Sequence, residues 1–170
     1  QLPILRQLLE YILKIIAIVQ ARMGSSRLPG KVMRMINEKP MIEVLLHRLD
    51  NSKYIDKIIL ATTLNENEQR LVEYVKNLGY EVFQGSEDDV LERYYEAAKL
   101  HIPDTIVRIT GDSPLVDPEL VDEVIEAYLE QKVDFLSNTL PLSYPDGLDV
   151  AVFSYSSLER ANQEAVTKHE

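Results

Sequence analysis

Short apolar segments alternate with amphipathic ones along most of this 170-residue chain, and this alternation restricts the fold more than any other feature. The apolar segments have the length and composition of β-strands and lie at 15–21, 57–62, 80–83, 105–110, 133–136 and 148–153. Helical periodicity and capping residues predict helices over 40–49, 65–78, 86–100 and 117–131, and a last helix after Ser154. Because the longer strands are apolar nearly throughout, a mostly parallel sheet covered on both faces is expected.

Right-handed crossovers between such strand–helix–strand units produce a doubly wound, three-layer α/β/α fold. The common strand order 3-2-1-4 places the first and fourth strands, 15–21 and 105–110, next to each other at the centre of the sheet. Ligands of these folds bind beyond the carboxyl ends of the strands at that point. We therefore predict the functional site where the loops after these two strands meet.

The loop after the first strand carries three fixed cations, Arg22, Arg27 and Lys31, around the small residues 24–26. Glycine and serine allow backbone N–H groups to approach an anion, and the cations neutralise its charge. The whole chain has a formal net charge of -10, so this positive cluster differs from its surroundings. A surface turn with incidental cations is the weaker alternative, and we predict a triphosphate site. Its spacing matches neither a P-loop nor a dinucleotide-binding fingerprint.

An acidic residue, Asp112, follows the fourth strand in a Gly-Asp-Ser-Pro turn. Alone it is an ordinary turn residue. Opposite the cationic loop it becomes a candidate Mg²⁺ ligand, because Mg²⁺ needs only one or two carboxylates beside phosphate oxygens. Asp149 begins the predicted last strand, where aspartate is disfavoured, and is a candidate second ligand. Asp146 precedes glycine and is equally compatible with a structural turn.

The segment 84–89 follows the third predicted strand and is rich in small and acidic residues. For Asp88 and Asp89 we favour a capped helix start over a role in binding. Gly85 and Ser86 lie where the strand ends and could contact a base or ribose.

Composition excludes several classes of function. An excess of acidic residues, 28 against 18 basic, argues against general binding of nucleic acid. The chain has no cysteine, which removes disulfides and thiolate metal sites and suits a cytoplasmic protein. Its three histidines are far apart in sequence and show no paired ligand spacing. Because no apolar run approaches the ~20 residues of a membrane span, we expect no membrane association.

The sequence predicts one main domain and an additional segment before it. Residues 1–14 have leucines and isoleucines at helical spacing, and we predict an extra amphipathic helix or linker segment there. Residues 15–170 form one predicted α/β domain. Since the sequence stops inside a helical pattern, we expect this domain to be truncated at its C-terminus.

Segment 21–31, Ala-Arg-Met-Gly-Ser-Ser-Arg-Leu-Pro-Gly-Lys, resembles the signature of the sugar-activating cytidylyltransferases. That family includes the acylneuraminate and 3-deoxy-manno-octulosonate cytidylyltransferases. Segments 85–94, 108–118 and 144–150 are similar to its SpsF-type subgroup, named for spore coat polysaccharide biosynthesis. The resemblance runs from about residue 14 to the end. It implies a Rossmann-like nucleotidyltransferase fold, CTP as substrate, Mg²⁺ as cofactor and a homodimer.

The resemblance also implies roles for individual positions. The implied nucleotide-binding residues are Ala21, Arg22, Gly24, Ser25, Arg27, Lys31, Gly85, Ser86 and Asp112. Of these, the implied catalytic residues are Arg22, Arg27, Lys31 and Asp112, while Asp112 and Asp149 would hold Mg²⁺. Position 151 departs from the subgroup, because it is alanine where an acidic residue is expected.

The implied reaction is attack of an oxygen of a sugar or sugar acid on the α-phosphorus of CTP, with release of pyrophosphate. No histidine is suitably placed as a general base, so none is assigned. Three alternatives remain open. The first is a glycosyltransferase, although its usual Asp-x-Asp metal motif is absent here. The second is transfer from GTP, and the third is a non-catalytic nucleotide-binding or scaffold domain, which Ala151 would permit.

Overall fold

The structure is a computed structural model that describes residues 13–25, 28–139 and 141–166. Its strands are β1 (Ile15–Gln20), β2 (Met35–Ile36), β3 (Lys39–Pro40), β4 (Lys57–Thr63), β5 (Glu81–Gly85), β6 (Thr105–Thr110), β7 (Phe135–Ser137) and β8 (Ala151–Ser154). Its α-helices are α1 (Met41–Leu49), α2 (Gln69–Asn77), α3 (Val90–Lys99), α4 (Pro118–Gln131) and α5 (Tyr155–Glu164). Two short 3₁₀ helices cover Lys31–Met33 and Glu66–Glu68.

Six strands form the main sheet in the order β5-β4-β1-β6-β8-β7. β1 pairs in parallel with β4 on one side and with β6 on the other, so Val19 lies opposite both Leu60 and Ile109. β8 alone runs antiparallel, to both β6 and β7. The predicted fold class and the predicted order of the first four strands are therefore confirmed.

Helices cover both faces of this sheet and create two cores. Alternate residues of β1 face opposite sides: Ala17 and Val19 pack with α1, α2 and α4, whereas Ile16 and Ile18 pack with α3 and α5. All four side chains are fully buried. Burial on both faces explains why β1 is a continuous apolar run and not an alternating one.

Several predicted helix starts match the structure and two do not. Asp117 and Ser154 cap α4 and α5, as predicted. The third helix begins at Val90, later than predicted, because Asp89 caps it through the Glu92 N–H. The sequence pattern Asn65-x-x-Glu68 predicts a capping pair at the start of the helix over 65–78, and this prediction is wrong, since the side chain of Asn65 caps no helix.

The small hairpin formed by β2 and β3 was not predicted. Its two-residue turn consists of Asn37 and Glu38, which have φ values of 46° and 68°. Positive φ at both positions is the requirement of the hairpin turns that match strand twist, but only asparagine is a usual residue there. Strands of two residues have no detectable periodicity, so the sequence carried no signal for them.

The ends of the chain differ from expectation. Of the predicted helix over 4–14, only residues 13 and 14 lie within the described part, and neither is helical. Strand β8 begins at Ala151, so Asp149 precedes the strand and the argument that a strand disfavours it is wrong. Within the described residues, no helix has both the length and the apolar character needed to cross a membrane.

Candidate nucleotide-binding site

Two loops of opposite charge meet at the carboxyl ends of the central strands. The phosphate loop (residues 21–31) follows β1, and the acidic loop (residues 111–117) follows β6. The Lys31 ammonium lies 2.5 Å from the Asp112 carboxylate, and the Gly111 N–H donates to the Gln20 carbonyl at 2.7 Å. The structure thus brings the two loops together at the edge of the sheet where the sequence placed a site.

These loops enclose a cavity of about 340 Å³. Five of the predicted site residues line it: Ala21, Arg22, Ser25, Lys31 and Asp112. Sequence reasoning did not assign the other lining residues, which are Gln20, Val32, Arg108, Thr110 and Gly111. The volume lies at the lower end of the range of small-molecule sites, so a phosphate chain fits more readily than a whole nucleotide.

The phosphate loop is closed by one backbone group. The Met23 carbonyl accepts the N–H of Ser25 at 3.0 Å and that of Gly30 at 2.8 Å. Gly30 has a φ of 66°, a left-handed conformation that favours glycine. A side chain added at Gly24 would meet no atom of the described residues within 4 Å. Arg27 belongs to the predicted site but lies outside the described residues.

Glu68 binds the backbone of this loop, and the sequence analysis did not identify it as a functional residue. Its side chain is buried, and both carboxylate oxygens lie 3.0 Å from the Met23 N–H. The Thr62 hydroxyl donates to the same carboxylate at 2.8 Å. The sequence signal was a glutamate three residues after asparagine, which also fits a capping box, and only the fold shows that it points to the loop.

Gly111 allows the two loops to approach each other. A Cβ at this position would lie 2.5 Å from the Ala21 Cβ and 2.7 Å from the Gln20 carbonyl oxygen. Real side chains do not tolerate such distances, because packed interiors leave no room for them. The close contact between the acidic and phosphate loops therefore depends on glycine at 111.

The charge of Asp112 is set by its neighbour. Partial burial alone would raise the pKa of Asp112, but the hydrogen bond and charge of the Lys31 ammonium hold it below its ordinary value of 3.8. A carboxylate with a lowered pKa stabilises the folded chain above its ordinary pKa and loses that contribution as the pH falls through the lower value. Asp112 is therefore ionised at neutral pH and available to a cation.

Replacing Lys31 with methionine should raise the pKa of Asp112, because burial would then act without an opposing cation. Carbon-detected NMR titration of the Asp112 carboxyl carbon measures this pKa directly. Lys57→Met is the control, since Lys57 pairs with Glu81 at 3.0 Å and not with Asp112. An unchanged titration midpoint in the Lys31 variant would show that the ion pair does not control Asp112.

The β5–α3 loop (residues 86–89) lies beside the phosphate loop. Glu87 links the two, because its carboxylate lies 3.8 Å from the Arg22 guanidinium. The same carboxylate accepts the amide of Asn65, which follows β4, at 2.7 Å. The Arg93 guanidinium donates to the Ser86 carbonyl. Gly85 and Ser86 do not line the 340 Å³ cavity, so a role in binding would require the ligand to extend past Arg22.

The second predicted metal ligand, Asp149, does not line the 340 Å³ cavity. It lies two residues before β8, and the pairing of β8 with β6 ends at Ala151, opposite Arg108. The metal role of Asp149 therefore stays a prediction. Across the described residues, no three histidine or acidic side chains gather around a common metal position.

A second cavity, of about 680 Å³, lies between α3, α5 and the β7–β8 edge of the sheet. Arg108 lines both cavities. The Tyr94 hydroxyl is buried at the second cavity and has no hydrogen-bond partner among the described residues. Burial raises the pKa of Tyr94 to about 12, and the nearby Arg108 guanidinium offsets only part of this shift. Ala151, opposite Arg108, brings no carboxylate to it.

Comparison with known proteins assigns the class. A family model described as cytidylyltransferase matches residues 16–170. The chain belongs to this cytidylyltransferase family. The match starts within β1 and includes both loops of the cavity, so the family signature and the site coincide.

The chain is also similar to individual proteins, one of which is a cytidylyltransferase of known structure. A cytidylyltransferase structure from Leptospira borgpetersenii superposes with a TM-score of 0.88 at 34% identity, over 93% of this chain and 67% of that one. The spore coat polysaccharide biosynthesis protein SpsF of Bacillus subtilis is 39% identical over 79% of this chain and 56% of its own length. An uncharacterized protein of Methanocaldococcus jannaschii is 43% identical over 93% of this chain and 64% of its own length. The chain thus spans less than two thirds of either curated relative.

Proposed function

We propose that the protein of which this chain is part transfers a cytidylyl group from CTP to a sugar or sugar acid and releases pyrophosphate. The observation that carries the proposal is the Lys31–Asp112 pair, which joins a cationic and an acidic loop across one crevice. A triphosphate needs cations along its phosphates, and a divalent metal needs an ionised carboxylate nearby. Both requirements are met by residues of the two central loops.

The cations of the phosphate loop would favour the departure of pyrophosphate. Nucleotidyl transfer depends mainly on positioning and on neutralising charge that develops on the leaving group. Lys31 and Arg22 line the cavity, and we assign Arg27 to the same task from the family resemblance. Ala21, Gly24 and Ser25 would hold the phosphates through their backbone, because small residues leave N–H groups accessible.

The residues at the end of β6 fit a magnesium ion. Asp112 is an ionised, half-exposed carboxylate, and we assign Asp149 as the second ligand from the family resemblance. Hard oxygen donors in this number suit Mg²⁺ when substrate phosphates complete the coordination. When bound, Mg²⁺ would supply charge neutralisation and polarise phosphate oxygens. The chain itself would orient the phosphates through Lys31 and the backbone of the phosphate loop.

The remaining features of the proposal come from the relatives. SpsF is named for spore coat polysaccharide biosynthesis, which supports a sugar acceptor and a role in surface polysaccharide formation. Gly85 and Ser86 would contact the base or ribose. The homodimer and the cytoplasmic location stay predictions.

Calorimetric titration with CTP tests the proposal, with GTP and UTP as controls and each nucleotide measured with and without Mg²⁺. We expect binding that is selective for CTP and depends on Mg²⁺. Preference for GTP would indicate guanylyl transfer. If a folded sample, and then the longer protein, binds no nucleotide, the proposal is wrong. CTP binding by the longer protein without pyrophosphate release in the presence of candidate sugars would favour a non-catalytic nucleotide-binding domain.

A further inference from the structure

Two buried charged side chains lie beneath the candidate site, and neither belongs to the machinery proposed above. Glu68 is 1% exposed and Arg93 is 2% exposed. Replacing a buried ionic group by an apolar residue of similar size is often neutral or stabilising, so stability alone gives a weak reason for these charges. The backbone groups that these side chains bind give a stronger reason for burying the charges.

Glu68 binds the backbone of Met23, the residue whose carbonyl holds the phosphate loop together. It accepts the Met23 N–H, and the carbonyl of the same residue accepts the N–H groups of Ser25 and Gly30. Holding the backbone of Met23 in place therefore also holds the two loop residues that bind its carbonyl. Thr62 donates to the same carboxylate and keeps it oriented toward the loop.

Arg93 holds the β5–α3 loop in a comparable way. Its guanidinium donates to the Ser86 carbonyl, and its stem packs against Gly85, where a Cβ would lie 3.1 Å from the Arg93 Cγ. Its Nε has no hydrogen-bond partner within the described part of the chain. Hydrogen bonding of the whole guanidinium therefore does not explain why this arginine is buried. Burial lowers the pKa of Arg93, whereas the nearby carboxylates of Glu68 and Glu87 favour its charge.

We infer that Glu68 and Arg93 are positioning residues for the two halves of the nucleotide. Glu68 presents the phosphate loop to the triphosphate, and Arg93 presents Gly85 and Ser86 to the nucleoside. The inference rests on the proposed function, because it requires a nucleotide that spans both loops. Neither side chain touches the ligand in this arrangement, and each acts through backbone that does.

Binding of two partial ligands separates these roles. Inorganic tripolyphosphate probes the phosphate loop and cytidine probes the β5–α3 loop, each followed by NMR titration in the presence of Mg²⁺. Glu68→Gln should weaken the affinity for tripolyphosphate at least about tenfold and leave the affinity for cytidine within about twofold of the wild-type value. Arg93→Met should do the reverse. A merely structural role would not produce opposite changes in the two affinities, because partial unfolding weakens the binding of both ligands together.

The controls keep the outcomes distinct. Glu43→Gln replaces another buried carboxylate, which accepts from Tyr74 and contacts neither loop of the site, and should lower Tm without changing either affinity. If Arg93→Met does not fold, Arg93→Lys serves in its place and should retain partial cytidine binding. Equal loss of both ligands in each variant would overturn the inference while leaving the proposed function intact. Failure of the wild type to bind either probe would overturn both.

Discussion

Replacing Asp112 with asparagine should lower pyrophosphate release from CTP by at least ~10-fold, which corresponds to about 1.4 kcal/mol in the activation barrier. The neutral amide keeps the shape of the side chain but removes the charge that would hold Mg²⁺ and pair with Lys31. The rate is measured on the longer protein by a coupled pyrophosphate assay. Folding stability should change little, because the pair is partly exposed and such pairs contribute little.

Asp117→Asn is the matched control for this variant. Asp117 belongs to the same acidic loop and caps α4 by accepting the Glu119 N–H, a role that asparagine fills equally well. Its rate of pyrophosphate release should stay near that of the wild type. Near-normal turnover in Asp112→Asn would remove Asp112 from the mechanism and weaken the assignment of Asp149 with it.

Replacing Gly111 with alanine should destabilise the chain by about 1–3 kcal/mol, the usual cost of forcing an extra carbon into packed structure. The new Cβ would collide with Ala21 and with the Gln20 carbonyl, so the acidic and phosphate loops must separate. Thermal unfolding measures the loss, at roughly 2–4 °C in Tm per kcal/mol for a chain of this size. CTP affinity should fall in parallel, since the cavity lies between these loops.

Gly24→Ala provides the contrast. Its Cβ meets no atom of the described part of the chain within 4 Å, so Tm should stay close to the wild-type value. If the phosphates lie against the loop as proposed, the added methyl group occupies ligand space and CTP affinity falls alone. Loss of stability in Gly24→Ala, or none in Gly111→Ala, would contradict the loop geometry described here.

The central part of the fold was predictable because its strands are buried on both faces. In β1 and β6 this burial produces apolar runs long enough to detect, and Gly79, with a φ of 93°, ends the helical segment after β4 as predicted. The predicted bounds of β7 and β8 were less accurate. These strands have three and four residues, and too few positions exist for a period to appear.

The charged loops of the site were also predictable, since Lys31 and Asp112 follow neighbouring parallel strands whose carboxyl ends share one edge. The supporting residues were not. Glu68 and Arg93 lie in helical segments, where a charged residue ordinarily faces solvent, and only the packing of α2 and α3 turns them inward. The meaning of Gly111 depends on a distance to another loop, which no local pattern contains.

The two cavities share one lining side chain, Arg108. Exposed arginines exchange rotamers within picoseconds to nanoseconds, far faster than any backbone rearrangement. A change of the Arg108 rotamer would therefore alter the shape of both cavities without moving a strand or the Lys31–Asp112 pair.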